Sequence, residues 1–170
     1  MYKEISFTEA SQSLLQQLQI GSFLVASDEQ HNNPMTIAWG TLGYMWNQPV
    51  FMVMVRYTRY TYELMEKNPL FTVSVPLHGQ LKKALALCGT RSGRDLDKAD
   101  ACGLTFSQGS QKGLYYIEDC DLHVECETIY RQAMEPASLN LQIKQQHYST
   151  HDFHVLYYGK ILRVFRKENE

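Results

Sequence analysis

Asp121–Glu127 (DLHVECE) sets Leu122, Val124 and Cys126 against Asp121, His123, Glu125 and Glu127. This period of two marks a strand with one buried and one wet face. Downstream, Phe153–Arg166 is long enough for two strands or one bent strand, with Gly159 as the expected bulge. Upstream, Leu70–Val75 reads as a buried strand stopped by Pro76, and Ser22–Ser27, Met35–Gly40 and Val50–Val55 read as further strands. The last two are joined by a loop around Asn47-Gln48-Pro49, and Asp28–Pro34 is rich in turn residues.

The helices are fewer. Ser6 and Glu9 form a capping box ahead of Ala10, Leu14 and Leu18, with Gly21 suited to the C′ position. Thr58–Lys67 is a short helix closed by Asn68-Pro69. Leu77, Leu81, Ala84, Leu85 and Cys88 mark one face of an amphipathic helix ending at Gly89, and Asp95–Cys102 reads as a short helix closed by Gly103. Pro136–His147 is polar, helical or looped. Strands outnumber helices and do not alternate with them as a parallel sheet requires. The expected fold is mainly β, an antiparallel barrel with peripheral helices, in one domain spanning residues 1–170.

Composition narrows the function. A formal net charge of -2 argues against a general nucleic-acid binder but leaves room for a local basic pocket. Cys88, Cys102, Cys120 and Cys126 make no C-x-x-C pair, so a zinc ribbon or dithiol redox motif is unsupported. No signal-peptide core precedes the first helix, and no apolar run reaches the roughly 18 residues of a membrane span. A cytoplasmic protein with reduced thiols is expected. His123 with Cys120 and Cys126 has poor metal spacing, and Cys88 on an apolar helix face suits the core better than a nucleophile's role.

Three segments can carry chemistry. In Thr90–Lys98 (TRSGRDLDK), Ser92 offers a hydroxyl, Gly93 lets backbone approach, and Arg94 and Lys98 bring charge. A helix starting near Asp95 would add free N–H groups, and together these make a phosphate cradle. The same residues also suit a solvated loop with Asp95 capping an ordinary helix. In Val55–Thr61 (VRYTRYT), Arg56 and Arg59 flank Thr58 and Thr61 at a strand-to-helix junction. Arginine forks suit phosphate, though surface arginines beside a capping threonine fit equally. In Asn33–Trp39 (NPMTIAW), Asn33, Met35 and Thr36 can line the edge of a flat heterocycle and Trp39 can wall it, while Met35, Ile37 and Trp39 can as simply fill core. His147, His151 and His154 cluster near the last strands, where one of them can line the pocket. No Rossmann glycine motif, zinc-protease helix motif or nucleophile elbow occurs, and no catalytic side chain or metal ligand is assigned.

These segments, in this order, resemble the flavin reductase-like family of FMN-binding split barrels. The matching stretches are NPMTIAWGT, VRYTRYTYELMEKNPLFTVSVP, CGTRSGRDLDKADACGLTF and DFHVLYYGKIL, from about Gly21 to Val164. The resemblance implies FMN at a homodimer interface. Asn33, Met35 and Thr36 would contact the isoalloxazine and Trp39 would border it. Arg56, Thr58, Arg59 and Thr61 would engage the ribityl chain and phosphate, completed by Ser92, Gly93, Arg94 and Lys98. It implies hydride transfer from NADH or NADPH to flavin without a protein nucleophile. A flavoprotein that only carries electrons, as flavoredoxins of the same group do, is the alternative. A split barrel holding another flat anionic ligand, pyridoxal phosphate or haem, is a further one. Pro136–Thr150 matches no functional pattern, and substrate choice can lie there.

Overall fold

A computed structural model of the chain describes residues 1–28 and 30–168; part of the Asp28–Pro34 turn expectation, at position 29, lies outside them. In chain order, β1 (Tyr2–Glu4) precedes α1 (Phe7–Leu18). Next come β2 (Ser22–Ser27), β3 (Asn32–Ile37), β4 (Gly40–Met45) and β5 (Gln48–Arg56). Then follow α2 (Tyr60–Lys67), β6 (Leu70–Val75), α3 (Lys82–Thr90) and α4 (Lys98–Cys102). The second half holds β7 (Phe106–Gln108), β8 (Tyr115–Ile117), β9 (Leu122–Ala133), α5 (Leu141–His147) and β10 (His154–Lys167). Seven strands run in the order β3-β2-β6-β9-β10-β5-β4, all paired antiparallel, with β1 added against the end of β10. The sheet is mainly antiparallel with peripheral helices, as the alternating pattern implies. Its two path ends, β3 and β4, do not pair with each other among the described residues.

The period-two reading of Leu122–Cys126 holds in register: Val73 faces Val124 and Phe71 faces Cys126 across β6 and β9. The apolar set, with Leu24, Phe51, Val53 and Tyr157, fills the main core. α1 lays Ala10, Leu14 and Leu18 on it, and Ser6 Oγ accepts from the Glu9 N–H at 3.2 Å, as the capping box requires. The cap at the other end is Gln19, so Gly21 lies one residue beyond C′; its φ of +133° still makes glycine the natural occupant.

Several boundaries differ from the sequence reading, each for a physical reason. β3 starts at Asn32 and includes Pro34, read above as turn; β3 is an edge strand, where one side needs no ladder donors. It ends at Ile37, and Gly40 opens a separate strand, β4. The β4–β5 hairpin turns on two residues, Trp46 and Asn47, with φ of 52° and 58°, as a type I′ turn demands. Trp-Asn is not the Asn-Gly signature of that turn, so the loop was placed later, at Asn47–Pro49. α2 begins at Tyr60 rather than Thr58, with no side-chain cap. α4 begins at Lys98 rather than near Asp95. Its cap is Asp97, whose Oδ1 accepts from the Ala99 and Asp100 N–H groups at 2.9 and 3.1 Å. The expected free helix N-terminus is therefore already occupied, and Asp95 is not the cap.

Phe153–Arg166 forms one bent strand. The register slips beside Gly159, but the extra residue is Ile129 on β9. Glycine is required there for another reason: a Cβ at 159 would collide with Phe71 Cζ and lie 2.8 Å from Cys126 Cβ. A second slip leaves Leu162 unpaired on β10. The short strands β1, β7 and β8 had no sequence signal long enough to read.

The face of β9 expected to be wet is fully buried at both His123 and Glu125, the latter accepting from the Ser110 N–H at 3.0 Å. The His123 ring lies among Tyr2, Tyr116 and Phe165, with Nδ1 3.0 Å from Ser74 Oγ. Burial pushes its pKa from 6.5 down to about 3. A lowered folded-state pKa means the neutral ring contributes stability above pH 6.5 that is lost as pH falls toward 3. His123→Gln removes that titration; acid unfolding followed by circular dichroism becomes shallower across this window, while an unchanged slope assigns the acid limb elsewhere.

Candidate functional site

Two expected segments meet at one place. The end of β5 and start of α2 bring Arg56, Thr58, Arg59 and Thr61, the loop after α3 brings Ser92 and Gly93, and the start of α4 brings Lys98. They line a cavity of about 250 Å³, with Met35, Tyr60, Thr90, Arg91 and Asp152. Arg56, Arg59, Arg91 and Lys98 outnumber the single carboxylate of Asp152, so the lining is cationic. A second cavity of about 270 Å³ shares Met35, Arg56 and Arg59 with the first and continues along β3 past Thr36, Ile37, Ala38 and Trp39 to Met54 and His154. The first is charged and hydroxyl-rich, the second of mixed polarity.

Lys98 is the unusual member. It is 4 % exposed, and among the described residues no carboxylate lies within ion-pair distance of it. Burial, and next to it the Arg59 charge, push its pKa down, while the Cys88 and Cys102 thiols act the other way. An ammonium held in a pocket without a counterion is a receptor for an anion. Cys88, fully buried, has its thiol pushed up to about 12, which removes it as a nucleophile.

Other expected residues already have partners within the protein, and of these Asn33 and Arg94 line neither cavity. Asn33 is buried; its Nδ2 donates to Thr61 Oγ1 at 2.9 Å, tying β3 to α2. Thr36 Oγ1 donates to the Leu85 carbonyl at 2.6 Å, so that hydroxyl proton is engaged in holding α3 against β3. Arg94 points elsewhere: Nη2 and Nε reach Glu63 Oε1 at 2.5 and 3.2 Å, and Nη1 reaches the Thr58 carbonyl at 3.1 Å. It lines a neighbouring cavity with Asn33 and braces the loop against α2. Arg56 has its fork on two carbonyls, Asp152 at 2.5 Å and His147 at 2.9 Å.

Gly93 is needed by packing. A Cβ there would collide with Asn33 Oδ1 and lie 2.9 Å from Tyr60 Cδ1. Gly93→Ala is expected to push the loop off the Asn33–Thr61 pair and weaken anion binding by about tenfold or more, since overpacking of this kind costs roughly 1–3 kcal/mol. Titration of riboflavin phosphate against both proteins checks this; equal affinity would show that the loop does not touch the ligand.

The sequence reading missed Tyr60, Thr90, Arg91, Met54 and Asp152. Met54 alternates with buried Val53 and Val55 on β5, a parity that could have placed it on the other face; Asp152 carried no signal. Of the three histidines named, His154 lines the cavity. Burial pushes its pKa down to about 4, and its Nδ1 shares a 2.8 Å hydrogen bond with Tyr148 Oη. His147 packs edge-on against Trp39 at 5.0 Å. A groove of about 430 Å³ between α1 and the end of β10 holds none of the expected residues; its Asp121 carboxylate already accepts from the Leu77 N–H and Gln80. Among the described residues no cluster of metal-ligating side chains occurs, and no helix is long and apolar enough to cross a membrane.

The fold is that of FMN-binding split barrels. It is similar to a flavoredoxin from Methanosarcina acetivorans (TM-score 0.67, 24 % identity, 87 % of this chain and 68 % of that one). It is also similar to an FMN-binding protein from Thermus thermophilus with bound p-hydroxybenzaldehyde (TM-score 0.69, 23 % identity, 88 % and 72 %). A third likeness is to an NADH:FAD oxidoreductase from Streptomyces globisporus (TM-score 0.64, 18 % identity, 86 % and 75 %). The model of the flavin reductase like domain matches residues 16–170, and the chain belongs to that family. An uncharacterized protein of Archaeoglobus fulgidus is 26 % identical over 108 residues, which span 64 % of this chain and 60 % of that relative.

Proposed function

We propose that the chain, as one unit spanning residues 1–170, is an FMN-binding oxidoreductase that takes hydride from NADH or NADPH and works as a cytoplasmic homodimer. The carrying observation is a pair of neighbouring cavities that share Met35, Arg56 and Arg59: a cationic one with buried Lys98 in its lining, and a second, of mixed polarity, bordered by Trp39. That shape and polarity suit a phosphate, a polyol chain and a flat ring in sequence. Family membership supports a flavin-related role.

In this reading Lys98 and Arg59 neutralise the phosphate, with Thr58, Ser92 and the Gly93 backbone as hydrogen-bonding groups around it. Thr61 and Asn33 hold each other and keep β3 against the start of α2. Met35, Thr36 and Trp39 border the ring. Arg94 contributes by bracing the phosphate loop through Glu63. Bound FMN would supply the redox centre, accepting hydride and passing electrons onward. His154 stays neutral at pH 7, so it places no fixed charge beside the ring, and its Nδ1 is held by Tyr148 Oη. The homodimer has support in exposed aromatic surface: Trp46 packs at 6.1 Å from Tyr130, both are about half exposed, and Tyr44 and Ile129 lie outward as well.

The test is chromatography of chromophore released from the purified protein, followed by anaerobic mixing with NADH or NADPH. Released FMN and rapid bleaching support the enzyme. Released FMN without bleaching supports an electron carrier, the reading the flavoredoxin likeness favours. A colourless protein that also ignores added FMN overturns both and leaves another flat anion, such as pyridoxal phosphate or haem, to be tried.

A further inference from the structure

From Met134 to Phe153 the chain leaves the sheet, and its helix α5 buries no residue. Such an excursion drifts unless something fastens it. Tyr148, which is buried and shares a hydrogen bond with His154 Nδ1, is one fastening, and Arg56 is the other. Its Nη1 donates to the Asp152 carbonyl at 2.5 Å and its Nη2 to the His147 carbonyl at 2.9 Å, while the guanidinium lies 5.1 Å over the Tyr148 ring. Thr58 Oγ1 donates to Asp152 Oδ2 at 2.7 Å beside it. Held this way, the segment sets His147 edge-on against Trp39, and Trp39 lies 5.5 Å from His154. Trp39 and His154 line the second cavity.

We propose that Arg56 is a positioning residue: by gripping the His147 and Asp152 carbonyls it latches the Met134–Phe153 segment beside the second cavity, and the Trp39–His147 edge so formed selects the planar ring, a dihydronicotinamide, that reaches the bound cofactor. This rests on the flavin reading above. A phosphate ligand needs charge, which Arg59 and Lys98 already supply; a latch across two carbonyls needs the planar fork, which lysine lacks.

Arg56→Lys separates the two roles because it keeps the charge and loses the fork. FMN affinity is expected to stay within about threefold, while the KM for NADH or NADPH rises about tenfold with little change in kcat, the pattern of lost substrate positioning. Hydrogen exchange of the apoprotein across residues 141–148 accelerates about tenfold or more. FMN affinity weakened about tenfold with wild-type KM and exchange would overturn the latch and return Arg56 to the phosphate. Unchanged exchange overturns the latch whatever the kinetics. FMN uptake by the wild-type protein serves as the separate arm: if it takes up none, the flavin reading fails and the nicotinamide assignment with it. The exchange measurement needs no flavin and still decides the latch.

Discussion

Lys98→Met is expected to lower FMN affinity by about 10- to 100-fold, because a charge-assisted hydrogen bond to phosphate is worth roughly 1.5–3 kcal/mol. Adding Arg59→Ala should take the loss to about a thousandfold, with less than full additivity since the two cations face one ligand. The same Lys98 change should make the apoprotein more stable. In the free protein the ammonium is buried and its pKa is pushed down by burial first and by Arg59 next. A lowered folded-state pKa penalises folding wherever the unfolded chain is protonated and the folded site resists it. The penalty is full below the folded pKa and fades as pH rises toward the ordinary lysine value of 10.5. Binding and stability thus move in opposite directions, which a residue of purely structural use would not do. Fluorescence titration with FMN and thermal unfolding of the apoprotein at two pH values check both halves. Undiminished FMN affinity in the double variant would sink the phosphate assignment.

Gly159→Ala should be the most damaging single substitution for the fold. The added methyl would collide with Phe71 Cζ and come 2.8 Å from Cys126 Cβ, where β6, β9 and β10 meet in the main core. Neither neighbour is a flexible chain end, so the strands themselves must move, and the register slip on β9 lies beside that point. Overpacking of a rigid core costs about 3 kcal/mol, which lowers the melting temperature by roughly 10 °C in a protein of this size. Thermal unfolding measures it directly. A fall of a degree or two would mean that the Phe71 ring has room to turn aside.

Much of the fold was legible because apolar residues recur along its strands in alternation or in short runs. Leu122, Val124 and Cys126 announced β9, and short stretches rich in apolar residues announced β2 and β6. Where reading failed, tertiary context overrode local chemistry. Pro34 looked like a turn residue but sits in an edge strand, and Trp46-Asn47 made a primed hairpin turn without glycine. Of the site, Ser92, Gly93 and Lys98 and the Arg56–Thr61 run were visible as phosphate-friendly chemistry. What each side chain does was less visible. Arg94 and Arg56 carry the same fork as Arg59, yet Arg94 is engaged by Glu63 and Arg56 by two carbonyls, that of His147 lying 91 residues further along the chain.

By itself the sequence determined the strand-dominated fold and the residue types able to hold a flavin phosphate, because periodicity and turn chemistry are local properties of the chain. Only the tertiary structure decided which cations face the cavity, that Lys98 is buried without a carboxylate partner among the described residues, and that His154 and not its neighbours lines the ring end. Those outcomes depend on contacts between segments far apart in sequence, and on the burial that such contacts impose.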